Sequence, residues 1–335
     1  QKLNNVAIPP PVGFNALIWS GNGTTQSLTG IGFQPDLVWI KNRNGTNPHG
    51  LWDSTRGAGK LLKSSASEAE TGNSGDLMGS FDSDGFQVNR NYLSFTAYDN
   101  TNWGAGTYVG WTWKANSGTT SSNTDGSITS TVQANQETGF SIVQWSGTGA
   151  VNTVGHGLSA APQLILIKSL SQAGDWQVYA EPIGNGNKLV LNATGGSSST
   201  TRFDSTSPTS SVFTLNDSGL GTGLIAYCFH SISGYSKIGS YTGNGNTGQS
   251  ITGLGFSPNF LLIKITDATD NWVILDSIRG GTNILAPNSN AQEFSESGVN
   301  ITFDSDGFSL SGTGGGQGQV NGNGNSYIYM AFKAG

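Results

Sequence analysis

The stretch LTGIGFQPDLVWIK, Leu28–Lys41, decides how the chain is read, because it returns as VGHGLSAAPQLILIK at Val154–Lys168 and as ITGLGFSPNFLLIK at Ile251–Lys264. Each version sets a proline (Pro35, Pro162, Pro258) just before four apolar or aromatic residues and a Lys. Proline donates no N–H and is tolerated at a strand start, and the residues after it favour extended backbone. Upstream lie ALIWSGNG, SIVQWSGTG and KIGSYTGNG, each a short run ending in an aromatic (Trp19, Trp145, Tyr241) and a Gly turn. Downstream, YVGWTWKA, LIAYCFHS and YIYMAFKA close the copies at Ala115, Ser231 and Ala334.

The closing run of copy one alternates, with Tyr108, Gly110 and Thr112 on one face and Val109, Trp111 and Trp113 on the other. Short strands punctuated by turns, without a helical period, predict an all-β chain of three tandem antiparallel β-sandwich repeats, jelly-roll-like, of about 100 residues each. The expected boundaries are an N-terminal arm 1–13, repeats 14–115, 140–234 and 235–335, and a Ser/Thr-rich linker 116–139. Within that linker, Ser127–Val132 has enough Ile, Thr and Val to add a strand. Three separate sandwiches and three interdependent lobes around a pseudo-threefold axis both satisfy the pattern.

Composition narrows the function classes. Fifty glycines in 335 residues, roughly twice ordinary usage, carry no collagen period, and 33 aromatics argue against disorder. A net charge of −6 and no Lys/Arg cluster argue against a nucleic-acid partner, and no apolar run exceeds strand length, so no membrane insertion is expected. One cysteine, Cys228, allows no internal disulfide; it falls in a small-residue slot with Thr112 and Ala331 and reads as packing. Residue 1 is Gln and no signal-peptide pattern follows it, which leaves the natural start open.

Two motifs offer chemistry. FDSDGF at Phe81–Phe86 and Phe303–Phe308 could present Asp82 and Asp84, or Asp304 and Asp306, to Ca²⁺; as Asp-Gly between apolar residues it reads first as a hairpin turn. DSTRG at Asp53–Gly57 and DSIRG at Asp276–Gly280 could offer Asp53, Arg56, Asp276 and Arg279 to sugar hydroxyls, or brace a loop by a local ion pair; copy two has AEPIG there. Paired carboxylates suggest a glycoside hydrolase, but duplicated ones suit architecture or multivalent binding better. His49, His156 and His230 fall at unrelated positions of the copies, and no GxSxG, P-loop, HExxH or CxxC occurs, so no catalytic residue and no cofactor is expected. Trp103, in YDNTNWGAG, is the tryptophan most suited to exposure and stacking on a sugar.

The units GFQPDLVWIKNR…DSTRG…FDSDGF…YVGWTWKA, the joint NSGTTSSNTDGSITSTVQANQETGFSIVQWSGTG and the ending NWVILDS…YIYMAFKA resemble repeat-containing virion structural proteins of marine tailed bacteriophages, tail-fibre-like or lectin-like. The resemblance runs from Gly13 onward and implies a non-enzymatic protein of the particle surface, a tail fibre, appendage or capsid decoration. It implies assembly with other virion proteins and with itself, trimers included, and attachment to host-surface glycans. A carbohydrate-binding adhesin is the second expectation and a polysaccharide depolymerase the third.

Overall fold

A computed structural model describes residues 11–72, 77–89, 101–312, 316 and 318–335; most of the N-terminal arm lies outside this range. The protein is all-β, with antiparallel sheets of which none closes. No helix among the described residues is long and apolar enough to cross a membrane.

The repeated segments become the same strands. In copy one the main sheet runs, in spatial order, Phe14–Ser20, Thr107–Trp113, Leu37–Asn42, Gly50–Asp53, Lys60–Lys63 and Thr71–Gly72. Copy three repeats its first five strands as Ser236–Thr242, Ser326–Phe332, Phe260–Ile265, Val273–Asp276 and Gly280–Leu285. Copy two does so with Phe140–Ser146, Gly223–Phe229, Leu164–Ser169, Gln177–Ala180 and Asn187–Val190. A second, smaller sheet carries three strands in copies one and three and two in copy two.

Alternation along the closing strands sorts the core into four parts. Tyr108 joins Trp19, Val38, Trp52 and Phe86 in a cluster between the two sheets of copy one, and copies two and three have equivalents. The opposite faces of all three main sheets share a single cluster, in which Val109, Trp111 and Trp113 meet Ile225, Tyr227 and Phe229 and also Ile328, Met330 and Phe332. Strands apolar on both faces are what burial on both faces requires.

The shared cluster is organised about a pseudo-threefold axis. Trp113, Phe229 and Phe332 end their closing strands at the same register, and their rings form a triangle with centroids 6.2, 5.9 and 6.0 Å apart. Each edge lies within the range where aromatic pairs add about 0.5–1.5 kcal/mol beyond area burial. At the other end of the neighbouring strands, Lys168 donates to Ser67 O of copy one, Lys264 to Thr194 O of copy two and Lys41 to Asn290 O of copy three. The order is cyclic, so the three copies are interdependent lobes of one body.

The Ser/Thr-rich segment 116–139 is more than a connector. Ser130–Asn135 pairs with Phe140–Ser146 over its whole length, and Ser121–Asn123 pairs in turn with Ser130–Val132, extending the sheet of copy two. Alternation explains the addition: Val132 points into the layer beneath and is buried, while Thr131 faces solvent.

Candidate functional site

The DSxRG motifs, read from sequence as candidate sugar contacts, are buried between copies. Asp53, Asp276, Arg56 and Arg279 have side chains at most 1% exposed, which corrects that expectation: no external ligand reaches them. Each Asp caps its own turn by accepting the backbone N–H of the Arg three residues on, at 2.9 Å, and also pairs with that Arg's Nε. The Asp then reaches across an interface. Tyr227 Oη of copy two donates to Asp53 Oδ2 at 2.7 Å, and Trp111 Nε1 of copy one donates to Asp276 Oδ2 at 2.9 Å. Arg279 also lies over the Trp111 ring, 5.5 Å from its centroid.

A second acid completes each network. Glu70 accepts from Arg56 Nη1 at 3.2 Å, and Glu293 accepts from Arg279 Nη1 at 2.9 Å while also holding Arg43 of copy one. Burial opposes the Arg56 charge, and Asp53, Tyr227 and Glu70 overcome it, leaving the guanidinium pKa above its ordinary value. Burial in turn raises the Tyr227 hydroxyl well above the usual tyrosine range, so it stays a donor to Asp53. Glu70 and Glu293 each stand seventeen residues after their Asp, a shared spacing through which the sequence could have disclosed them.

Copy two shows why its motif is gone. Tyr227, Trp111 and Met330 occupy one register of the three closing strands, so cyclic order sets Ala180, where the Asp would be, opposite the Met330 register. The network becomes neutral throughout. Ile183 stands for the Arg, and Ser197 stands for the Glu and keeps the backbone bond to Thr266 O that Glu70 makes to Leu170 O and Glu293 to Arg43 O. A thioether offers no N–H or O–H, so an Asp there would be buried without its cross-copy donor.

The FDSDGF motif builds turns. Asp84 accepts the N–H groups of Gly30 and Gly32 at 3.0 and 2.6 Å, and Asp306 accepts those of Gly253 and Gly255 at 3.1 and 2.7 Å. Ser80 donates to Asp82, and Ser309 to Asp304. Among the described residues no group of three or more acidic, His or Cys side chains is placed to hold a metal ion. The glycine is demanded by a neighbour: a Cβ on Gly85 would sit 1.9 Å from Leu28 O, and one on Gly307 2.0 Å from Ile251 O.

Of the candidate sugar contacts, Trp103 is the one at the surface, 40% exposed, its loop held by Tyr108 Oη accepting from its N–H at 2.7 Å. His49 replaces a tryptophan of the other copies: Trp176 Nε1 donates to Lys63 O and Trp272 Nε1 to Val190 O, while His49 accepts from Trp39 Nε1 at 3.0 Å. Burial, with Lys41 and Arg279 nearby, holds His49 neutral. Cys228 is fully buried and its thiol pKa is pushed up by burial, as a packing residue's would be. The described surface also carries a cleft of ≈ 440 Å³ at one end of copy two, beside Pro162, Tyr179, Glu181, Pro208 and His230.

No curated protein and no solved structure matches the chain. One family does, over residues 10–334, and that span takes in all three copies and their shared core. The chain therefore belongs to the family described as Domain of unknown function (DUF7483).

Proposed function

We propose that the protein is a non-enzymatic structural component of a bacteriophage particle, a tail fibre, appendage or capsid decoration, with each pair of layers forming one sandwich repeat. The observation that carries the reading is the inward direction of the recurrent charged groups. Both DSxRG networks and all three strand-end lysines are spent on bonds between or within copies. Binding sites and catalytic centres keep such groups open to a ligand, whereas assembly modules use them to fix register. The outside left to meet neighbours is mostly Gly, Ser, Thr and Asn on turns. Its partners are other virion proteins, and its location is the particle surface.

Peptide mass spectrometry and immunogold labelling of gradient-purified particles test this. The expected result is the chain in stoichiometric amount, with gold at one fixed place on the particle. Abundance in the lysate with absence from particles would overturn it.

A carbohydrate-binding role is the second reading, and it now rests on the exposed Trp103 alone. Asp53, Arg56, Asp276 and Arg279 no longer contribute to it.

A further inference from the structure

The three copies treat the outer edge of their first strand differently. Phe14–Ser20, Phe140–Ser146 and Ser236–Thr242 pair with their closing strands in the same register, starting at Trp113, Phe229 and Phe332. In copy two the other edge is occupied, because Phe140, Ile142 and Gln144 pair with Asn135, Gln133 and Thr131 of the added strand. In copy three the edge is blunted: Ser236 exchanges two backbone bonds with Ile232, Ile238 N donates to Ser231 Oγ, and Lys237 puts a charge on the strand. In copy one a backbone contact covers only the first residue, where Gly335 N donates to Phe14 O. The strand itself reads FNALIWS, without charge, proline or bulge.

The ladder decides which groups are left open. Gly13 O accepts from Lys114 N and Gly21 N donates to Gly106 O, so the odd-numbered residues turn their backbone groups to the closing strand. Ala16, Ile18 and Ser20 turn theirs outward. Asn15 Oδ1 holds the Ala16 N–H at 2.9 Å, while the N–H and C=O of Ile18 have no partner among the described residues. Ile18 is 48% exposed and Ile278, in the DSIRG turn of copy three, 41%. The two exposures share a cause. In copy two Gln133, opposite Ile142, donates to Thr55 Oγ1 at 2.7 Å, so the added strand covers the DSTRG turn of copy one. Cyclic order sets the DSIRG turn against copy one in the same way, with Ile278 for Thr55 and Ala16 for Ile142. A residue opposite Ala16 would therefore cover Ile278, and an apolar one fits there as Gln133 fits Thr55.

We propose that this edge joins a second copy of the chain, the two Phe14–Ser20 strands running antiparallel about a two-fold axis at Leu17. An uncharged strand with open donors and acceptors is complementary to itself in that arrangement, so the partner needs no feature this chain lacks. Ala16 and the partner's Ile18 exchange two backbone bonds, the partner's carbonyl taking the Ala16 N–H from Asn15, and the symmetric pair exchanges two more. The partner's Ile18 then lies opposite Ala16, where it covers Ile278. The pairing stands independently of a place in a phage particle. Sedimentation equilibrium of the full chain is expected to show dimers at about 100 μM, and Ile18→Lys to weaken them about tenfold or more with an unchanged urea midpoint at about 1 μM. Leu17 falls opposite itself at a non-hydrogen-bonded position, close enough for a disulfide. Leu17→Cys is therefore expected to cross-link two chains under mild oxidation, while Ser240→Cys on the copy-three edge does not. A monomer at every concentration, dimers undiminished in Ile18→Lys, or dimers without the Leu17→Cys cross-link would each overturn the assignment, as would equal cross-linking at Ser240→Cys. Dimers that appear only after removal of residues 1–10 would overturn it in favour of the chain's own N-terminal arm.

Discussion

Lys41, Lys168 and Lys264 show what a single buried charge does here. Each closes an apolar strand and points into the shared interior, where its Nζ meets only backbone carbonyls: Gly45, Asn47 and Asn290 for Lys41, Ser67 and Gly174 for Lys168, Thr194 and Asp270 for Lys264. Burial lowers the pKa to about 7 for Lys41 and about 8 for the other two, although Asp175 and Glu68 near Lys168 and Asp270 near Lys264 favour the charge. An unfolded lysine titrates near 10.4, so between these values the unfolded chain binds more protons and stability rises with pH. Urea midpoints are expected to be higher at about pH 9 than at about pH 7, and Lys41→Met should remove part of the rise. Above about pH 10 the trend reverses, because Tyr327 and Tyr329, pushed up to about 12, resist the ionisation open to them when unfolded. The lysines were visible in the repeat as strand ends, but nothing in a single copy could say that their acceptors belong to the next.

The exchange of ionic for apolar networks belongs to the scale of strands and turns. Asp53→Ala alone leaves Arg56 with Glu70 as its remaining acid and Tyr227 without its acceptor, and is expected to cost about 3 kcal/mol in urea unfolding, the low end of the penalty for breaking a buried pair. Carrying copy two's solution over whole, as Asp53→Ala, Arg56→Ile, Glu70→Ser and Tyr227→Met together, should recover most of that loss or exceed the parent, since apolar replacement of buried ion pairs ranges from neutral to about 4 kcal/mol stabilising. A quadruple variant weaker than Asp53→Ala would show that the network, beyond its charges, sets the docking angle. The strands were legible: Pro35, Pro162 and Pro258 precede Leu37–Asn42, Leu164–Ser169 and Phe260–Ile265, and the alternation of Tyr108 against Val109 and Trp111 divides the layers as read. The destination of the second face was not, because alternation reports that Trp111 and Trp113 are buried and not what buries them. The motif DSxRG misled for the same reason: two charged side chains look solvent-directed until a neighbouring copy covers them.

At the scale of the molecule, the shared core predicts one unfolding event. A lobe cut free would expose the face carrying Trp39, Trp111, Trp113, Leu51 and Leu62, a patch far from what a monomeric surface tolerates. Calorimetry of the full chain is expected to give a single transition with equal calorimetric and van't Hoff enthalpies, and residues 140–234 expressed alone should aggregate or bind hydrophobic dye. Three separated transitions would mean that the triangle of Trp113, Phe229 and Phe332 contributes little cohesion.

Holding three lobes on one chain changes how the interfaces can vary. In a ring of identical subunits every substitution lands at all contacts at once, so a residue must suit each copy of its partner simultaneously. Here Asp53 with Tyr227, Asp276 with Trp111, and the Ala180 and Met330 registers are three different locks in one ring. Each can be altered once without burdening the others, and a surface such as the end of the second lobe can specialise while two siblings keep the original shape. Covalent fusion gives this protein the freedom to be asymmetric.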